Sequence, residues 1–179
     1  MITYPQPPFP SQQQSMPGNI AAMRPPPDHR EESCRGCGRL LGKKAVITGG
    51  DSGIGHAVAI AYAREGADIL IAYLNEDEVA AATRGWIEEA GRKAKLLPGH
   101  TQDSKHCRRI IDTAVAELGD IDILVNNAAH QASFHDIADI SDEEWELTFR
   151  VNIHAMLSDV RAQTTGARLD GAFDRKGLR

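Results

Sequence analysis

One glycine-rich stretch constrains the fold of this chain more than any other part of the sequence. It runs from Thr48 to Gly55 as T-G-G-D-S-G-I-G, between the apolar run Ala45-Val46-Ile47 and a helical apolar pattern. Glycines let the backbone turn without Cβ clashes and let its amides approach a ligand closely. The helix that follows offers unpaired N–H groups and the positive end of its dipole. The stretch therefore predicts a strand, a turn and a helix that together bind an anion such as a pyrophosphate.

Strands and helices alternate along the rest of the chain. The apolar patterns predict strands at residues 45–48, 68–73, 94–97 and 121–125, separated by helices at residues 54–65, 77–90 and 105–118. Such alternation implies parallel strands joined by right-handed crossover helices, and we expect the order 3-2-1-4. A ligand should bind where the order reverses, between strands one and four. The predicted fold class is α/β, a partial doubly wound Rossmann fold that lacks the later strands.

The sequence divides into three parts. Residues 1–39 hold eight of the nine prolines and predict an extended or disordered segment, with an arm that wraps a neighbouring subunit as the alternative. Residues 40–157 form the predicted dinucleotide-binding part, whose last helix opens with a capping box of Ser141 and Glu144. Residues 158–179 change composition and predict an irregular tail.

Composition excludes several classes of protein. A net charge of −5 gives no broad basic surface, so nucleic acid is not an expected partner. The three cysteines do not suffice for a disulfide framework, which suits a reducing compartment. No apolar run is long enough to span a bilayer, and the N-terminus has no secretion signal. The expectation is a cytoplasmic protein that does not enter a membrane.

Two further motifs accompany the glycine turn and extend the interpretation. Asn126-Asn127-Ala128-Ala129 closes the fourth strand, and Asn152 lies on the helix that follows. Together they resemble the short-chain dehydrogenase/reductase family over residues 38–157. The segment around Asp28-His29 and Gly36 to Leu40 resembles its glucose-dehydrogenase-like, general-stress branch, which has a proline-rich N-terminal extension. The resemblance implies NADP or NAD as cofactor, a small alcohol or carbonyl substrate, and a homo-oligomer in full-length relatives.

The resemblance also assigns roles to residues. Asn152 matches a proton-relay position, with a buried structural amide as the alternative. After the third strand, His100 stands where the family usually has an aspartate beside the adenine. The predicted cofactor-binding residues share the strand ends and are Thr48, Gly49, Asp51, Ser52, Gly53, Ile54, Gly55, Tyr73, Asn126 and Ala128. No acid at residues 72–75 is placed to bind a ribose 2′-hydroxyl and no arginine replaces it, so NAD and NADP both remain open.

The family's catalytic Tyr-x-x-x-Lys is missing from these residues. A tyrosine is a poor acid–base group at neutral pH unless a nearby cation lowers its pKa. Tyr4, Tyr62 and Tyr73 are followed four residues later by Pro8, Gly66 and Asp77. The resemblance implies an NAD(P)-dependent oxidoreductase that transfers hydride between the nicotinamide and an alcohol or carbonyl compound. We expect this chain to be inactive in that reaction because the Tyr-x-x-x-Lys pair is missing. The alternative is a truncated or frameshifted, non-catalytic fragment that only binds nucleotide.

No metal site is predicted from the sequence. Cys34 and Cys37 form a C-x-x-C pair, but zinc normally takes four ligands and Cys107 lies on the apolar face of a helix. The histidines at positions 100, 106, 130 and 135 have no recognisable metal spacing. His56 stands where this branch commonly has arginine.

Overall fold

The computed structural model describes residues 5–14 and 20–166. Four strands and five α-helices lie in these ranges. The strands are β1 (Lys44–Thr48), β2 (Asp68–Tyr73), β3 (Ala94–Pro98) and β4 (Ile123–Val125). The helices are α1 (Gly53–Arg64), α2 (Asp77–Glu89), α3 (Ser104–Leu118), α4 (Asp142–Phe149) and α5 (Ala155–Gly166). Short 3-10 helices lie at Ile20–Ala22 and Ile137–Asp139, and one π-helical turn at Arg150–His154 joins α4 to α5.

The strands form one parallel sheet in the order β3-β2-β1-β4. Ala45 of β1 lies opposite Ile69 of β2 on one side and Ile123 of β4 on the other. The predicted α/β fold class and strand order are therefore confirmed. From β1 the chain adds β2 and then β3 on one side of the sheet, and it then returns to add β4 on the other side of β1. The strand order therefore reverses between β1 and β4.

Both faces of the sheet are covered by helices, which explains why the central residues of β1 and β2 are apolar. Ala45 and Ile47 point to the face covered by α1 and α2, while Val46 points to the face covered by α3 and α5. All three are fully buried. A strand buried on both sides needs a continuous apolar run rather than an alternating pattern. The small side chains of Ala59 and Ala63 let the backbone of α1 pack close to the sheet.

Glu65, the residue after α1, fixes the segment that leads into the sheet. Its carboxylate accepts hydrogen bonds from the backbone N–H groups of Cys37 and Arg39, both at 3.0 Å. The Arg39 guanidinium donates to the same carboxylate through Nη2 at 2.6 Å and Nε at 3.0 Å. These bonds, led by those from Arg39, lower the pKa of Glu65 to about 2. Residues 37–39 are thereby joined to the end of α1.

Two expectations from the sequence require correction. The helix α5 continues to Gly166, so the chain is not irregular from residue 158 as predicted; residues 167–179 lie outside the described ranges.

The capping box predicted at the start of α4 is only half formed. Ser141 does accept a hydrogen bond from the Glu144 N–H at 3.2 Å. Glu144 does not complete the capping box, because its carboxylate lies 2.7 Å from His130 Nε2 instead. A tertiary partner has replaced the local one.

The described part of the N-terminal segment has one regular element, the 3-10 helix at Ile20–Ala22. Gln12 and Arg24 exchange hydrogen bonds across this part of the chain at 2.8 and 2.9 Å. From residue 29 onward the segment contacts the body of the protein, since Glu31 reaches both His56 and Arg64 of α1. No helix in the described ranges has the length and apolar character needed to cross a membrane.

The interface between α3 and α5 contains a buried acid. Asp159 is 1% exposed, and within the described residues its Oδ1 has no hydrogen-bond partner. Burial raises the pKa of Asp159 to about 6, against the opposing effect of the neighbouring Cys107 thiol. Cys107 is itself buried and donates to the carbonyl of Thr101 at 3.1 Å. The interface therefore stabilises the protonated, neutral form of the Asp159 side chain.

We predict that Asp159 makes the protein less stable as the pH rises from about 4 to 6. The folded-state pKa exceeds the ordinary value of 3.8, so the folded protein keeps a proton that the unfolded chain releases in this range. Asp159→Asn should become more stable than the parent across this window, by up to about 3 kcal/mol above pH 6. Urea unfolding at several pH values measures the difference. Asp112→Asn on the exposed face of α3 is the control, and an equal change in both variants would contradict the assignment.

Candidate functional site

A cleft of about 470 Å³ lies at the carboxyl ends of the strands. The turn after β1 contributes Gly49, Asp51 and Ser52 to its wall. Further parts of the wall come from the ends of β2, β3 and β4, so all four strand ends meet there. The cleft thus spans the point where the strand order reverses, as the fold predicts for a ligand site.

Thr48 and Asn127 connect the ends of β1 and β4. The Thr48 hydroxyl accepts hydrogen bonds from the backbone N–H groups of Asn127 and Ala128, both at 3.1 Å. In return the Asn127 amide donates to the carbonyls of Thr48 at 3.0 Å and Gly49 at 2.9 Å. Thr48 is 2% exposed and lies behind the cleft wall. Its role in this geometry is to hold the turn, while Gly49 and Ala128 face the cleft.

Gly55 allows the helix α1 to begin directly against the turn. A Cβ atom at position 55 would lie 1.9 Å from the Gly49 carbonyl oxygen and 2.6 Å from Asn127 Nδ2. No side chain fits there, so the close approach requires glycine. Gly49 and Gly53 add φ angles of +62° and +53°, which ordinary side chains disfavour.

The start of α1 has the features of an anion site. Ser52 precedes the helix in an extended conformation, and its side chain makes no capping hydrogen bond to the first turn. The first N–H groups of the helix and the positive end of its dipole are then left for a ligand. Ile54 is 77% exposed beside them. Five predicted cofactor-binding residues are not part of the cleft wall, namely Thr48, Gly53, Ile54, Gly55 and Asn126.

Tyr73 is the last residue of β2 and lines the cleft, and its phenol is hydrogen-bonded to a carboxylate. The hydroxyl donates to Asp77 Oδ1 at 2.5 Å. Burial and this carboxylate raise the pKa of Tyr73 to about 12. Glu76 lies beside it in the cleft wall, and burial together with the charge of Asp51 raises the pKa of Glu76. This end of the cleft is therefore acidic.

Asn152 holds the loop that follows β4. Its Oδ1 accepts from the His130 N–H at 2.8 Å, and its Nδ2 donates to the His130 carbonyl at 2.9 Å. The residue lies in the π-helical turn Arg150–His154, a type of helix distortion found frequently at functional sites. Both polar atoms of the side chain are engaged, so the geometry matches a positioning amide.

Two histidines line the middle of the cleft. His130 Nε2 lies 2.7 Å from Glu144 Oε1, which joins the loop after β4 to α4. Burial and the charge of His130 lower the pKa of His100 after β3. His100 occupies the wall position where the family resemblance led us to expect an aspartate.

The family model for short chain dehydrogenases matches residues 43–167, which include the whole sheet and the cleft. The chain belongs to the short-chain dehydrogenase family. The resemblance found in the glycine turn, the Asn126–Ala129 motif and Asn152 is thereby confirmed.

Two curated relatives are similar to this chain over most of its length. The uncharacterized oxidoreductase YghA of Escherichia coli strain K12 is 48% identical over 149 residues, which cover 83% of this chain and 51% of the relative. General stress protein 39 of Bacillus subtilis strain 168 is 44% identical, over 87% of this chain and 54% of the relative. The chain thus spans about half the length of these curated relatives. The likeness to general stress protein 39 supports the predicted branch of the family.

A solved structure gives the same result. The short chain dehydrogenase from Burkholderia cenocepacia J2315, solved in complex with NADP, is 35% identical with a TM-score of 0.69. The match covers 71% of this chain and 51% of that structure. The matched 71% of this chain therefore has the fold of a short-chain dehydrogenase.

Sequence reasoning located the cleft but missed some of its residues. The motif after β4 predicts Asn126 and Ala128 as site residues, whereas the side chain of Asn127 is the one that bonds to the turn after β1. The sequence analysis considers His130 only as a metal ligand and does not name Glu76, although each follows a strand end where the fold places ligand contacts. The signal available for them was position in the topology, because neither belongs to a distinctive motif.

We predict that Asn152→Ala loosens the loop at His130. Loss of two hydrogen bonds to a half-buried backbone should lower the free energy of unfolding by about 1–3 kcal/mol. The His130 amide should also exchange its hydrogen faster, which hydrogen exchange with NMR detection measures. Ile153→Ala, at a neighbouring side chain that is 56% exposed, should change stability by no more than about 0.5 kcal/mol. Unchanged exchange at His130 in Asn152→Ala would contradict the role.

Proposed function

We propose that this chain binds a nicotinamide dinucleotide in the cleft and is the cofactor-binding half of an oxidoreductase for a small alcohol or carbonyl compound. The observation that carries the proposal is the close approach at Gly55, which brings the open start of α1 against the turn after β1. A pyrophosphate needs both features, because its charge is held by backbone N–H groups and a helix dipole. The relative from Burkholderia cenocepacia, solved with NADP, supports the same class of ligand.

The cofactor would lie along the strand ends. The turn from Gly49 to Gly55 would hold the pyrophosphate, with Gly53 and Ile54 contributing backbone rather than side-chain contacts. Tyr73 and Asp51 would face the adenosine ribose, since both line the part of the cleft next to β2. Ala128 and Ala129 would let the cofactor pass close to the backbone after β4.

The acidic end of the cleft favours NAD over NADP. Asp51 and Glu76 both line it, and Asp77 lies behind the Tyr73 hydroxyl. The 2′-phosphate of NADP would bring further negative charge to the same place, and like charges brought together cost binding free energy. Glu76 can instead accept a hydrogen bond from the 2′-hydroxyl of NAD. This refines the sequence interpretation, which found no acid at residues 72–75.

We also propose that these 179 residues do not catalyse hydride transfer by themselves. Reduction of a carbonyl requires a proton donor whose pKa lies near the working pH. Among the described residues, Tyr73 supplies the one phenol in the cleft wall, and burial with Asp77 raises the pKa of Tyr73 to about 12. Asn152 would act as a positioning residue through His130, with its amide already engaged. Hydride transfer in the longer relatives would then depend on residues outside the part they share with this chain.

We predict that the full 179-residue chain binds NADH and that Gly55→Ala abolishes binding. The added Cβ would collide with the Gly49 carbonyl and the Asn127 amide and so displace the turn. Titration of NADH and NADPH fluorescence measures both affinities, and NADH should bind roughly tenfold more tightly, which equals 1.4 kcal/mol. Gly85→Ala is the matched control, because a Cβ at position 85 in α2 meets nothing within 4 Å. Equal binding by Gly55→Ala and Gly85→Ala would contradict the proposed site.

We further predict that the chain, saturated with NADH, does not oxidise it in the presence of aldehydes, ketones or sugars. The physical reason is the high pKa of Tyr73 and its bond to Asp77. Absorbance at the nicotinamide band measures the rate, with a full-length short-chain dehydrogenase as the positive control. Measurable turnover would contradict the inactivity but leave cofactor binding intact, so the two parts of the proposal are tested separately.

A further inference from the structure

Three side chains with metal-binding atoms converge on the side of α1, away from the cleft wall. Glu31 Oε1 lies 3.1 Å from His29 Nδ1 and 3.3 Å from His56 Nε2. The three atoms lie within 4.8 Å of one another. Zinc–nitrogen and zinc–oxygen bonds near 2.1 Å in tetrahedral geometry place neighbouring ligand atoms about 3.4 Å apart. Two of the three separations already match this spacing.

The cluster is largely shielded from water. The side chains of His29 and His56 are each 10% exposed, and that of Glu31 is 25% exposed. The two imidazole rings meet edge to face, with centroids 4.9 Å apart and an angle of 82° between their planes. The Glu31 backbone is held in addition by Arg64, whose Nη2 donates to the Glu31 carbonyl at 3.1 Å. Burial and these contacts therefore restrict the rotation of the three side chains and hold their ligand atoms close together.

Thr83 fixes which nitrogen of His56 faces the cluster. His56 Nδ1 lies 2.6 Å from Thr83 Oγ1, and Thr83 is completely buried. The single hydroxyl hydrogen of Thr83 is directed to backbone carbonyls, with the Asp51 oxygen at 2.8 Å. Because a carbonyl oxygen can only accept, this pattern is satisfied when the hydroxyl accepts from His56, which assigns the hydrogen to Nδ1. A neutral His56 then turns the lone pair of Nε2 toward Glu31.

This arrangement brings two acceptors face to face. The Nε2 lone pair and the Glu31 carboxylate oxygen lie 3.3 Å apart, and neither supplies a hydrogen when His56 is neutral. Such a contact is stabilised only when a positive charge lies between the two atoms. Either a second proton on His56 or a metal ion can supply that charge.

We propose that His29, Glu31 and His56 bind a divalent metal ion of the zinc class. Two imidazole nitrogens and one carboxylate oxygen form a ligand set that suits Zn²⁺ and its analogue Co²⁺, whereas Mg²⁺ and Ca²⁺ prefer oxygen ligands. Thr83 acts as the outer partner that orients the His56 ring, as outer hydrogen-bond partners do for most metal-binding histidines. Water completes the coordination.

The metal ion would join the N-terminal segment to the glycine turn. His29 and Glu31 precede the sheet, while His56 lies in the first turn of α1. Thr83 continues the connection to the carbonyl of Asp51, which belongs to the cleft wall. The site is therefore a structural clip, and it does not depend on the proposed cofactor.

Metal titration of the full 179-residue chain, stripped with a chelator, tests the site. Isothermal calorimetry with Zn²⁺ and the visible absorption of Co²⁺ should each report one equivalent, and Zn²⁺ should raise the Tm. His29→Ala and Glu31→Gln should weaken binding at least about tenfold and remove the rise in Tm. Thr83→Val should weaken it by about 10- to 100-fold, and Thr83→Ser should restore it.

Two controls separate this site from others. His154→Ala removes an exposed histidine of the π-helical turn, and the double variant Cys34→Ser with Cys37→Ser removes the C-x-x-C pair. Both should bind Zn²⁺ like the parent. The proposal is overturned if the parent shows no saturable binding, if His29→Ala and Glu31→Gln bind like the parent, or if only the cysteine variant loses binding. Glu31→Gln retains the shape of the side chain, so it decides the question if His29→Ala folds poorly.

Discussion

The exchange of hydrogen bonds between Thr48 and Asn127 is the constraint on which the rest of the cleft depends. It joins the ends of two strands that are separated by most of the domain in sequence but adjacent in the sheet. Because the Asn127 amide also holds the Gly49 carbonyl, the turn cannot relax away from α1. Gly55 then becomes obligatory, since any larger residue would strike both groups. The side chains of Thr48 and Asn127 thus fix the positions of the turn, the start of α1 and the loop after β4 relative to one another.

The arrangement of strands could be predicted from the sequence because its causes are local. Apolar runs such as Ala45-Val46-Ile47 are long enough to be buried on both faces, and helices of regular length separate them. Parallel pairing and the handedness of crossovers then leave few possible orders. The position of the cleft follows from that order. The end of α5 was not predicted, because residues 158–166 have a weak apolar period and the contact of α5 with α3 is made through residues such as Ala162.

Side-chain partners were harder to predict, because they join residues far apart in the chain. Glu144 matches a local capping pattern, yet its carboxylate lies 2.7 Å from the ring nitrogen Nε2 of His130, a residue 14 positions away in the chain. His56 looks like an isolated substitution in the sequence, while the fold places it against Glu31 and Thr83. Asn152 was assigned from its motif alone, and its bonds to His130 depend on the π-helical turn. Pairs of this kind become visible only when the loops have been placed.

The contact between Cys107 and Asp159 has a consequence for how this protein can change over evolution. The two residues come from different helices, and each is almost completely enclosed by the same interface. A larger residue at position 107 would displace the carboxyl group, and an aliphatic residue at position 159 would remove the thiol's polar neighbour. Substitutions at either position are therefore tolerated best when the other changes with it. Among related sequences, the residues at positions 107 and 159 should therefore covary.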